Sequence, residues 1–136
     1  MKLGACEMMR TYITALLLFV AIDAPWIYYV VLPSYQAEFS TLLTFRWQPA
    51  VIFYVTFIAG LVFFCLRSSK QDSPWLAAPC YGLVTYGTYA LTLQACFSFY
   101  PWWLAIADWL WGPVLCLLVT AGVRWFDGFR SLSKVS

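Results

Sequence analysis

WWLAIADWLWGPVLCLLVTAGV, residues 102–123, carries a single charged side chain, Asp108, in an otherwise apolar run. A helix needs about 20 such residues to cross the ~30 Å hydrocarbon core of a bilayer. The run is therefore long enough to span, and it would take its carboxylate inside with it. A lone ionised carboxylate in that position costs on the order of 3 kcal/mol or more, so the segment calls for a partner group elsewhere in the chain.

Working outward from this run, three more spans follow, at about 11–31, 48–66 and 74–97. No charge occurs between Arg46 and Arg67 or between Asp72 and Asp108. The polar stretch RSSKQDSP, 67–74, separates the second span from the third, and SFYP, 98–101, makes the short turn before the fourth. The composition agrees: 63% of the 136 residues are hydrophobic and only 10% are charged, whereas about a quarter are charged in a soluble domain. The apolar runs do not alternate with period two, which argues against a membrane β-barrel. Lipid-exposed backbone must then close its hydrogen bonds as helix. The expected fold is all-α, an integral membrane bundle of four transmembrane helices forming a single membrane domain over 1–136. The competing reading of the first run as a signal peptide is disfavoured, because Asp23 and Pro25 interrupt the would-be cleavage region and no A-x-A site follows.

The basic residues set an expected orientation. Lys2, Arg10, Arg67, Lys70, Arg124, Arg130 and Lys134 fall on one side of such a bundle and Arg46 alone on the other. The positive-inside rule then places both termini in the cytoplasm of a bacterial inner membrane protein. The loop 32–47 becomes external. Tyr35, Phe39, Leu42 and Leu43 recur there at helical spacing against Ser34, Glu38 and Thr41, the pattern of an amphipathic helix lying in the interface; the alternative is an ordinary loop. Trp47, Trp75, Trp102 and Trp103 sit at span ends, as interface anchors do. The net charge of +2 is accounted for by anionic headgroups and calls for no nucleic-acid partner.

Several chemistries are disfavoured. There is no histidine, and Cys6, Cys65, Cys80, Cys96 and Cys116 show no C-x-x-C spacing. Zinc, haem and di-iron sites, histidine-box oxygenases and a Ser-His-Asp hydrolase all lose their usual ligands or base. No phosphate-binding glycine loop is present. Neither a metal nor a cofactor is expected.

What remains is polar chemistry at membrane depth. Asp23 lies about thirteen residues into the first span, about 20 Å from the cytoplasmic face at 1.5 Å per residue. Asp108 lies about seven residues, or about 10 Å, inside the opposite face. The two carboxylates share a level, and if they face each other one proton shared between them is the expected state. DAPW, 23–26, and DWLW, 108–111, both place a tryptophan three residues after the acid, on the same helical face. Pro25 and Pro113 each free a backbone carbonyl nearby. Tyr81, Thr85, Thr88 and Thr92 follow i, i+4, i+7, i+11 on the third span, with Gly82 and Gly87 permitting close helix approach. Tyr54 and Thr56 reach a similar depth from the second. The expected binding residues are Asp23, Trp26, Tyr54, Thr88, Tyr89, Asp108 and Trp111. Thr85, Thr92 and Tyr86, taken singly, read instead as interhelical packing groups.

LFVAIDAPWI near the start, WQPAVIFYVTFIAGLVFF, GLVTYGTYALT and IADWLWGPVL together resemble the domain of unknown function family 2177, small four-helix bacterial membrane proteins. The resemblance covers about Tyr12 to Gly122. It carries over Asp23 and Trp26, then Trp47, Pro49, Phe53, Tyr54 and Gly60, then Thr88, Tyr89, Leu91 and Thr92, and finally Asp108, Trp111 and Gly112. One departure stands out. The family pattern in the third span reads like T-Y-D-L-T-N, where this chain has TYALTL at 88–93, so Ala90 replaces an acid and Leu93 an amide. The resemblance implies a fold and a bacterial inner membrane, and no activity.

Three functions are compatible with these residues. The first is binding or transport, proton-coupled or lipid-handling, with Asp23 and Asp108 as the site and Trp26, Trp109, Trp111 and Tyr89 as aromatic walls for an apolar or cationic ligand; four spans would then imply a homo-oligomer. The second is an accessory or assembly subunit with a membrane-enzyme partner. The third, ranked last, is a lipid-active enzyme using the carboxyl pair as acid and base. No nucleophile with a base partner is visible, so a non-enzymatic role is favoured.

Overall fold

The computed structural model describes residues 4–39, 47–66, 74–97 and 100–133, and among the described residues there is helix and no strand. Helix α1, Ala5–Trp26, passes through a π-helical turn at Ile27–Val31 and runs on as α2, Leu32–Phe39. Helix α3, Trp47–Leu61, ends in a second π turn, Val62–Leu66. Helices α4, Pro74–Cys96, and α5, Trp102–Ser133, complete the chain. The first π turn follows Pro25, which cannot donate to the preceding turn of the helix. The ladder resets just beyond it: the N–H of Leu32 bonds the carbonyl of Ile27, five residues back.

Three segments, Ala5–Ala37, Trp47–Leu66 and Trp102–Phe129, are long and apolar enough to cross a membrane. Helix α4 has 23 residues and is comparably long; its tyrosines and threonines make it less apolar. The distribution of side chains is that of a membrane bundle. Leu17, Ile52, Val84 and Leu110, one from each long helix, are 58–67% exposed, while Asp23 and Asp108 are each only 3% exposed. A water-soluble fold would reverse that arrangement, whereas hydrocarbon solvates the leucines and the interior must satisfy the acids.

The helices form a ring in which α1 packs on α3 and α5, α4 packs along α5, and the π turn ending α3 closes against α4. The α4–α5 seam is the tightest. A Cβ on Gly82 would strike the Gly112 carbonyl, and one on Gly112 would strike Gly82 and the Tyr86 ring, so the two backbones touch. Phe19, Phe57, Ile58, Leu61, Leu115 and Val119 belong to one buried cluster. Ala90, Tyr100, Leu104 and Ala105 form another. Along α1 and α5 the aspartates fall between these two apolar layers.

Three boundaries differ from the sequence reading, the first being that helix α1 begins at Ala5 rather than near residue 11. The first span does not stop at residue 31, because helix continues to Phe39 without a break; the helix expected in the following loop is thus joined to α1 as far as Phe39, and 40–46 lie outside the described residues. The fourth helix runs to Ser133 rather than ending near 123. Its last turns carry exposed Trp125, Phe126 and Phe129 among charged residues. Hydropathy marks where a span leaves hydrocarbon, not where a helix ends.

Candidate functional site

The contacts between α1 and α5 run in opposite senses along the two chains: Leu18 lies against Gly122, Asp23 meets Trp111, and Trp26 meets Asp108. The helices are therefore antiparallel. Placing one D-x-x-W stretch on each has a geometric consequence, since each tryptophan sits a turn beyond its own acid and so level with the acid of the other helix. The indole Nε1 of Trp26 donates to Asp108 Oδ1 at 3.0 Å, and that of Trp111 donates to Asp23 Oδ1 at 3.0 Å. The two indoles stack with centroids 4.5 Å apart and planes 8° from parallel. The exchange has local two-fold character: each helix holds the acid of the other.

Tyrosines complete the shell. Tyr54 of α3 donates to Asp23 Oδ2 at 3.1 Å, and Tyr86 of α4 donates to Asp23 Oδ1 at 3.4 Å. Tyr100, just before α5, donates to Asp108 Oδ2 at 3.2 Å. Burial pushes the Tyr100 hydroxyl well above its ordinary value, so it stays protonated and able to donate at neutral pH. Every donor in these five hydrogen bonds is a neutral N–H or O–H. The acids are solvated by dipoles rather than by counter-ions, and Asp23 has three donors where Asp108 has two.

Beside the acids lies a cavity of about 290 Å³, near the lower end of the ~300–1,000 Å³ typical of small-molecule sites. Asp23, Asp108 and Trp26 line it with Phe53 and Tyr54 from α3 and Tyr89 from α4. Phe53 and Tyr89 are also among the exposed aromatics, so the cavity reaches the outer surface of the bundle. Its position follows from how α3 meets α4. Lower down, Phe57 packs against Tyr81 at a tilt and meets Tyr86 edge to face, and Tyr81 donates to the Phe57 carbonyl at 3.1 Å. One turn along α3, at Phe53, that bridge is absent and the seam stands open.

Of the seven binding residues read from the sequence, the structure brings six together. Asp23, Trp26, Tyr54, Tyr89 and Asp108 line the cavity, and Trp111 holds Asp23 from behind. Thr88 is not brought there: it is exposed, and its hydroxyl returns to the Val84 carbonyl of its own helix at 2.7 Å. Thr92 and Thr56 are exposed too. Thr85 does border the cavity, with its hydroxyl bonded to Tyr81 and Gly82 carbonyls. The stripe on α4 does not act as one polar face, because a threonine hydroxyl in a helix satisfies itself on the preceding turn. Trp109 is no cavity wall; it donates to the Leu83 carbonyl at 3.0 Å over Gly87. Sequence reasoning left Tyr86 as packing and passed over Tyr100. The signal for Tyr100 was its place eight residues, about two helical turns, before Asp108, hidden because it stands ahead of the helix. Ala90 is fully buried in the cluster that holds Tyr100.

Among the described residues no group of three acids, cysteines or histidines could hold a metal ion. The family model described as "Predicted membrane protein (DUF2177)" matches residues 8–125, and the chain belongs to that family. Comparison with curated proteins and with solved structures gives no match.

Proposed function

We propose, from the premise of this membership, that the protein binds a small lipid-like ligand in the cavity beside Asp23 and Asp108, admitting it from the bilayer between α3 and α4. The observation that carries this reading is a cavity with aromatic walls, open at Phe53 and Tyr89 and floored by two buried carboxylates. A site for ions alone would have no use for the apolar wall. A purely structural acid pair would be expected to pack closed, since unfilled apolar volume costs stability. The setting we propose is a bacterial inner membrane with both termini cytoplasmic, by the distribution of Lys and Arg, which puts the cavity in the outer half of the bilayer.

The accessory-subunit reading took the aromatic surface as its interface, but contact with lipid accounts for that surface without a partner chain. The acid–base reading is weakened by the hydrogen bonds, because five protein donors hold the two carboxylates in fixed positions.

The test is native mass spectrometry of the full chain released gently from its own membrane. The expected result is a defined lipid or small molecule that stays with the wild-type protein and is lost from Asp108→Asn. A bare chain, or a stoichiometric foreign chain with no small molecule, would overturn the reading.

A further inference from the structure

The cavity is more specific about charge than about shape. None of the described residues lining it is basic. Along the helices that carry this lining no Lys or Arg occurs between Arg10 and Arg46 or between Lys70 and Arg124; Arg46, four residues before Ala50 of the lining, lies outside the described residues. Two carboxylates at 3% exposure are thus held only by neutral donors. Phosphate or sulfate heads would meet two acids and, among the described residues, no counter-charge. A neutral alcohol head could donate one hydrogen bond but would leave the charge of the acids unanswered. A cation gains from both features of the lining: the acids provide the opposite charge, and Trp26, Phe53, Tyr54, Tyr86 and Tyr89 provide the aromatic faces that attract ammonium groups. Asp108 is the better placed acid, because it has only two protein donors and keeps acceptor capacity free.

We propose that the ligand is a lipophilic monocation, an amphiphile whose ammonium head sits at Asp108 among the aromatic rings while its chain leaves past Phe53 into the bilayer. This rests on the lateral-cavity reading above and adds the sign of the charge to it.

The experiment uses the full chain in phosphatidylcholine vesicles and three probes of equal chain length: dodecyltrimethylammonium, dodecanol and dodecyl phosphate. Protein-dependent binding is read as the saturable excess over partitioning into protein-free vesicles. Dodecyltrimethylammonium, whose charge is permanent, is expected to bind about tenfold more tightly than dodecanol, with no saturable binding of dodecyl phosphate. In Asp108→Asn that preference should fall to within about twofold, with dodecanol little changed. Equal or tighter binding of dodecanol, or saturable binding of dodecyl phosphate, overturns the cation assignment and leaves the cavity as an amphiphile site. Absence of saturable binding by all three overturns the lateral-cavity reading and this inference with it. The wild-type series decides the question even if the variant fails to fold.

Discussion

Helix α4 has two seams, and they are built from opposite materials. Against α5 it presents Gly82 and Gly87, so that backbone meets backbone at Gly112 and the Trp109 indole fits over Gly87 with its Nε1 donating to the Leu83 carbonyl. Against α3 it presents Tyr81 and Tyr86, which reach across a wider gap to Phe57, while Tyr89 lines the cavity beyond them with its hydroxyl 3.0 Å from that of Tyr35 in α2. In hydrocarbon no hydrophobic force draws helices together, and separation is set by what stands between them. Small residues closed one seam, and large ones propped the other apart. The propped seam is where the cavity and its acids lie.

The largest expected effect tests the closed seam. Gly82→Ala places a methyl group on the Gly112 carbonyl, where only backbone can yield, and should cost about 1–3 kcal/mol of stability in reversible detergent unfolding. Gly60→Ala is the matched change on the propped side. Its methyl would meet the hydroxyl end of Tyr81, a side chain able to swing away. The lost hydrogen bond to Phe57, worth about 1 kcal/mol, is offset by the helix preference for Ala over Gly, also about 1 kcal/mol. A Gly60→Ala loss as large as that of Gly82→Ala would break the contrast.

A middle-sized effect belongs to the crossed tryptophans. Trp26→Phe removes one of two donors to Asp108, and Trp111→Phe one of three to Asp23. Each should cost about 1–2 kcal/mol, with Trp26→Phe the more costly because its acid has less cover. A double-mutant cycle between Trp26→Ala and Trp111→Ala should show coupling of about 0.5–1.5 kcal/mol from the stacked rings. Additive losses would mean that the indoles serve their acids independently and that the stacking is incidental.

These residues also show what the sequence made legible. The two D-x-x-W stretches, the matching depths and the antiparallel order of four spans were enough to bring Asp23, Trp26, Asp108 and Trp111 to one place, because each depends only on rise per residue and helical phase. What phase cannot supply is which neighbour a polar group chooses. Thr88 had the right depth but bonds its own helix, Trp109 turned to the Leu83 carbonyl, and Tyr86 and Tyr100 took positions at the acids that no periodicity marked. The propped seam was equally invisible, since its width depends on how the aromatic side chains of α3 and α4 meet. The distinction of small from large residues was written along α4; the cavity that follows from it was not.

The smallest expected effect falls on the outer face of α4 and tests whether lipid is what covers it. Thr88→Val keeps the branched shape and removes a hydroxyl whose bond is to Val84, so stability should change by no more than about 0.5 kcal/mol. Amphiphile binding should not change, because Thr88 does not line the cavity. Tyr86→Phe, half a turn away and facing inward, should by contrast weaken the hold on Asp23 by about 1 kcal/mol. The family resemblance gives Thr88 a motif position nonetheless. If Thr88→Val proved as costly as Tyr86→Phe, this face of α4 would be packed against protein in the membrane, and a second copy of the chain at Thr88 would be the contact to find by cross-linking through a cysteine placed there.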